Sequence, residues 1–213
     1  MSNRTGWVAP FVGLVFVAAY VAVAILLGEG QDATKKSADE LVTYYRDHDA
    51  EQSIGALLIG VAAITLLFWA GHLRRVLRDA EGPTGILAPV AFAGAIVFAG
   101  GAIVGATIHF ALADYSDHTD VVNPLVFQAL NAFDWSNFLF FPVGLGTMLL
   151  ASGICAIRHG ALSKWLGWVA IVLGIAFLTP AFPVGLFGTA AWVLVVSIVW
   201  LMQARTPQAA TPS

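Results

Sequence analysis

Two short stretches of the chain set a histidine among carboxylates: YYRDHDAE at residues 44–51 and YSDHTD at residues 115–120. Asp47, Asp49 and Glu51 surround His48, while Asp114, Asp117 and Asp120 surround His118. Mixed imidazole and carboxylate donors suit zinc or another first-row divalent ion. If the two stretches met in space, His48, Asp49, Asp117 and His118 would be the ligands. Neither stretch carries a diagnostic spacing such as HExxH, and solvated acidic loops are the competing explanation.

A second group lies within apolar sequence. Asp134 stands in NAFDWSNF, with Gln128, Asn131 and Asn137 at three-residue spacing around it. His109 stands in GATIHFALAD, on the preceding apolar stretch. An ionisable residue inside a membrane segment is costly and marks a functional site by default. Antiparallel neighbours joined by a short connection touch, so His109 and Asp134 are expected to pair. Such a pair relays a proton or orients a metal ligand. The alternatives are an aspartate bonded to amides at the membrane interface and a histidine that joins two helices.

Catalytic signatures do not accompany these groups. The chain has no GxSxG, Walker A, CxxC or HExxH pattern. A non-enzymatic membrane protein that contacts lipid or a partner is therefore the first expectation. The second is a small ion- or proton-coupled transporter or channel using His109 and Asp134. The third is an extracytoplasmic protein binding a divalent metal, and no other cofactor is expected.

The elements that must position these residues follow from composition. Of 213 residues, 59% are hydrophobic and 11% charged, with a mean hydropathy of +0.82. Soluble domains carry about 25% charged residues, so water is not the solvent for most of this surface. An all-α, polytopic transmembrane bundle is expected, as one domain over residues 1–203 with a disordered cytoplasmic tail at 204–213. Six spans are expected at about 7–28, 53–73, 85–113, 124–157, 165–182 and 184–202. The first is longer than the roughly 7–15 residues of a signal h-region and is read as a retained span. The third and fourth overshoot a bilayer and should project beyond it.

Charge orients the spans. Arg4, Arg74, Arg75, Arg78, Arg158, Lys164 and Arg205 fall on one side, and Lys35, Lys36 and Arg46 on the other. The positive-inside rule places the first group and both termini in the cytoplasm of a bacterial plasma membrane. Arg74, Arg75, Arg78, Arg158 and Lys164 are then expected to touch anionic lipid headgroups. A net charge of −3 gives no reason to expect a nucleic-acid partner. In the projecting part, SADE at 37–40 is a capping box, and Ala38, Leu41, Val42 and Tyr45 form one apolar helix face. Gly101 and Gly105 form a GxxxG pair that serves either an internal contact or a homo-oligomer. Pro142 should bend the fourth span. Cys155 is the single cysteine, so no internal disulfide forms.

At LRRVLRDAEG, ALSKWLGWVAIVLG and YYRDHDAEQSIGALL the chain resembles a family of integral membrane proteins common in high-GC actinobacteria, similar to a bacterial six-helix domain without assigned activity. In that family a cytoplasmic turn of the form GAL-x-(R/K)-WLGW precedes the fifth span, matched here by residues 160–168. The resemblance implies the six-span fold and carries no catalytic residues with it.

The metal expectation has a direct test. Protein purified without chelator or metal resin should hold about one equivalent of a transition metal by elemental analysis, lost in the His48→Ala/His118→Ala double variant. Metal-free wild type would reduce both stretches to solvated loops.

Overall fold

The computed structural model describes residues 8–27, 36–117 and 122–205, with Trp135 and Arg205 described by backbone alone. Among these residues every regular element is helical. They are α1 (Val8–Leu27), α2 (Ala38–Asp47), α3 (Asp49–Glu81), α4 (Leu87–Asp117), α5 (Pro124–Ser136), a π-helical turn (Phe141–Gly146), α6 (Thr147–His159), α7 (Lys164–Ala176) and α8 (Phe182–Arg205). Five segments are long and apolar enough to cross a membrane: α1, α3, α4, Phe141–His159 and Phe182–Ala204. The protein is thus a helical bundle with the composition of a membrane-embedded chain.

Six helices close into a ring. α1 packs on α3, α3 on α4, α4 on α6, α6 on α7, α7 on α8, and α8 returns to α1. Their inner faces supply Phe16, Leu66, Leu73, Met148, Leu149, Val193 and Val196 to one core. Trp69 is fully buried there, and its indole N–H donates to Ser197 Oγ at 3.0 Å, which satisfies its one polar group. The outward faces expose Phe11, Ile25, Phe68, Ile96 and Val172. So much apolar exposure around a ring is what lipid covers.

Where α3 ends and α4 begins, the chain reverses at one carboxylate. Glu81 accepts from the backbone N–H of Leu87 at 2.8 Å and of Ala88 at 3.0 Å, satisfying donors that the first turn of α4 leaves open. The arms of this hairpin have 33 and 31 residues, or about 50 and 46 Å at 1.5 Å per residue, longer than a ~30 Å hydrocarbon core. The two overlong helices are therefore those of the second and third apolar stretches. The stretch 124–157 is broken instead, into α5, a turn at 137–139, the π-helical turn and α6. Pro142 lies inside that π-helical turn, where its missing N–H removes an α-helical bond.

The fifth apolar stretch also differs from expectation. α7 has only 13 residues, about 20 Å, because the chain turns at Thr179 and Pro180. The Thr179 hydroxyl donates to Ala176 O at 3.0 Å and accepts from the Ala181 N–H at 3.2 Å, which holds the turn.

The two ends of the bundle have opposite characters. At one, α3 and α6 finish and α7 starts, so Arg74, Arg75, Arg78, Arg158 and Lys164 share that end. Arg75, Arg78, Arg158 and Lys164 are exposed, as are Trp165 and Trp168. Arg74 is half-buried, with its guanidinium 5.5 Å from the centre of the Phe92 ring. At the other end α2, α5 and the last turns of α4 form a lobe with its own small core of Leu41, Val42, Tyr45, Leu112, Ala113 and Phe127. Ser37 Oγ accepts from the Glu40 N–H at 3.3 Å, and Glu40 accepts from the Ser37 N–H at 2.7 Å, so α2 begins on a complete capping box. The Ser37 backbone bond holds the Glu40 carboxyl below its ordinary range. The cap's contribution is therefore present above the ordinary carboxylate pKa and fades as pH falls through the lowered one.

Within the ring, α4 and the π-helical turn cross closely. A Cβ added to Gly94 of α4 would lie 2.6 Å from the Gly144 carbonyl oxygen, and one on Gly144 would lie 2.7 Å from the Phe98 Cα. Backbone opposes backbone, so nothing there can swing aside. Gly94→Val should lower the reversible unfolding free energy in detergent by about 1–3 kcal/mol. Gly60→Ala, with no neighbour within 4 Å of the new Cβ, should leave it nearly unchanged. Equal midpoints for the two variants would refute the crossing.

Candidate functional site

Where the lobe meets the ring, four helices bring polar side chains into one buried cluster. α3 contributes Gln52, fully buried; α4 contributes His109, 2% exposed; α5 contributes Asn131 and Asp134; α2 contributes Tyr45. Gln52 continues the inward face that carries Gly55, Ala56, Ala62, Ala63 and Leu66 further along α3. That helix runs several residues beyond its apolar stretch, and the extra turns carry a glutamine into the interior.

Each polar group finds a partner from another helix. His109 Nδ1 lies 2.9 Å from Asp134 Oδ2, and Nε2 lies 2.8 Å from Gln52 Oε1. Each ring nitrogen thus has an oxygen partner on a different neighbouring helix. Gln52 Nε2 in turn donates to the Tyr44 hydroxyl at 3.4 Å. The chain of bonds thus runs from Asp134 through His109 and Gln52 to α2.

A second bond stands beside it. Asn131 Nδ2 donates to the Tyr45 hydroxyl at 2.9 Å. The Tyr45 ring packs on His109 at 5.6 Å and edge-on to Phe127 at 5.3 Å between centroids. Burial, reinforced by the nearby Asp134 carboxylate, pushes the Tyr45 phenol far above its ordinary pKa, so it remains a neutral hydroxyl. Asn131 Oδ1 is buried with no hydrogen-bond partner among the described residues.

The polar strip on α5 therefore stitches the lobe together. Gln128 Nε2 donates to Lys36 O at 3.4 Å, and Asn137 Nδ2 to Gly101 O at 3.5 Å, on either side of Asn131 and Asp134. Gly101 of the GxxxG pair faces Phe140, and a Cβ on Gly105 would lie 3.1 Å from Asn137 Nδ2. The small residues of α4 face the chain's own 137–140 segment.

Below this cluster lies a half-open slot of about 200 Å³. Val23 from α1, Ile59 from α3, and Phe98, Phe140 and Phe141 form its apolar walls, and His109, Asp134 and Asn137 close its polar end. Asp134 is 12% exposed, and its second oxygen, Oδ1, makes no hydrogen bond to the described residues. The π-helical turn supplies one wall, and its Phe141 ring stacks on Phe140 at 4.2 Å and packs on Phe98 at 5.5 Å.

Compared with protein-family models, curated proteins and solved structures, the chain matches none. The site is interpreted on its own chemistry.

The other sequence candidates lie apart from the slot. His48 caps the junction of α2 and α3, its Nδ1 2.9 Å from Tyr44 O and its ring stacked on Tyr44 at 4.5 Å. Asp49 opens α3 and accepts from the Ser53 hydroxyl at 3.4 Å, while Asp117 is exposed at the end of α4. His118 lies outside the described residues. Among the described residues no three His, Cys, Asp or Glu side chains gather into a group that would hold a metal. Gln52 and the polar role of Tyr45 were not singled out from sequence; the signal for Gln52 was its place on the small-residue face of α3.

Two tests follow. Asp134→Asn removes the charge facing His109 and should cost about 1–3 kcal/mol of stability. In the second, Tyr45→Phe and Asn131→Leu should each destabilise, and the double variant should fall short of their sum by at least about 0.5 kcal/mol. Strict additivity would mean that the hydroxyl and amide do not interact.

Proposed function

We propose that this protein is a non-enzymatic, multi-pass protein of the bacterial plasma membrane that holds a membrane-borne ligand in the slot beside His109 and Asp134. In this topology α7 supplies the sixth crossing together with the turn at 177–181, and both termini are cytoplasmic. The basic end with Arg75, Arg78, Arg158 and Lys164 faces anionic headgroups there, beside the exposed Trp165 and Trp168. The lobe then lies outside, over the outer leaflet.

One observation carries the ligand reading. The slot is apolar along its walls and polar at one end, where an aspartate oxygen is left without a described partner. Small-molecule sites have this make-up: apolar lining with a few placed polar groups that fix orientation. The π-helical turn in the wall adds weight, since such turns occur often at functional sites. A structural polar contact would instead be sealed.

The buried His109–Asp134 pair also favours a second reading, proton-coupled transport. Under it, a proton-driven flux in proteoliposomes should disappear in Asp134→Asn. Equal flux in both proteins would remove transport and leave ligand binding.

Ligand binding predicts a bound lipid. Protein extracted directly into native nanodiscs should carry one lipid species enriched several-fold over the surrounding membrane. Ala106→Leu, which adds bulk to the slot, should remove that enrichment without changing the thermal midpoint. Identical lipid profiles for wild type and variant would refute the reading.

A further inference from the structure

The slot's dimensions limit what enters. Its residues on α4 run from Phe98 to His109, eleven positions, or about 16 Å along the helix axis. The volume of about 200 Å³ is below the roughly 300–1,000 Å³ of sites for drug-sized ligands. A long, narrow space of that size accepts one hydrocarbon chain.

The polar end limits the head. Asp134 Oδ2 is occupied by His109, and Oδ1 is left to accept one hydrogen bond. Asn137 beside it offers an amide whose Nδ2 makes only a long, 3.5 Å bond to Gly101 O. The end therefore presents one acceptor and one weakly engaged donor. A carboxylate head would set two carboxylates against each other. An ammonium head has only donors, and would set one of them against the Asn137 amide N–H. A hydroxyl donates and accepts at once, and costs least to take out of water.

We infer that the slot takes a single-chain lipid alcohol, its hydroxyl donating to Asp134 and accepting from Asn137, with the chain running along α4 toward Phe98. This rests on the slot being a ligand site, and the two claims separate experimentally. Gly105 and Ala106 are small and line the slot near its polar end, leaving room for the head.

The test uses three photoreactive probes that share one diazirine chain of about twelve carbons, which extended is close to the slot's run along α4, and end in a hydroxyl, a carboxylate or an ammonium. The full-length protein in nanodiscs is irradiated with each, and adducts are mapped by peptide mass spectrometry. The alcohol should label α4 or residues 134–141 at least five-fold more than either charged probe. Ala106→Leu should abolish that labelling, and Gly105→Val serves if that variant does not fold. Asp134→Asn should reduce alcohol labelling while leaving labelling of the lipid-facing surface unchanged. Preference for the carboxylate or ammonium probe would overturn the alcohol and keep the slot as a ligand site. No slot labelling by any probe, or labelling that survives both filling variants, would overturn the ligand site itself.

Discussion

An imidazole almost wholly withdrawn from solvent must have its polar atoms answered by protein, and His109 sets that requirement for the lobe end of this molecule. Its two ring nitrogens point to different helices, so α3 must extend far enough to deliver Gln52 and α5 must lie close enough to deliver Asp134. Tyr45 then covers the ring face from α2, which explains why a ten-residue helix is folded back over the bundle rather than left as a loop. The lobe's small apolar core, from Leu41 to Phe127, keeps water from competing for these bonds. Remove the imidazole and the length of α3, the placement of α5 and the docking of α2 lose their common reason.

The slot beneath has a related origin. A continuous α-helix from residue 124 to 159 would pack along α4 for its whole length and leave no space. The turn at 137–139 and the π-helical turn after it interrupt that packing. Phe140 and Phe141 are thereby turned onto Phe98, and the gap opens toward His109. The close approach at Gly94 and Gly144 anchors the interrupted helix immediately below, so the irregular backbone hangs from a fixed point.

Much of the architecture was legible in the residues. Apolar runs marked every ring helix, and SADE with Leu41, Val42 and Tyr45 marked α2 with its cap and its buried face. The proximity of His109 and Asp134 could be reasoned from antiparallel neighbours, and the structure brings them to 2.9 Å. What could not be read was set by tertiary packing. Gln52 sits in polar sequence, and only the continuation of α3 to Asp49 shows that it faces inward. The expected bend lies at Pro142, but the α-helix already stops at Ser136, where Asn137 takes a non-helical backbone. The role of Glu81 is hidden in LRRVLRDAEG, because its partners are N–H groups of a helix that has not yet begun.

That carboxylate bears on how the protein is made. A chain entering a bilayer from its N-terminus exposes each helix before its later neighbours exist. The turn between α3 and α4 is closed by a residue of one arm on the backbone of the other, with five residues between. Nothing from α5 onward is required to satisfy it. The two arms can therefore leave the insertion machinery already paired, their reversal fixed and the polar first turn of α4 capped. Gln52 and His109 then wait at the far end for the aspartate still to be synthesised. Assembly of the buried cluster is the last act of a hairpin completed much earlier.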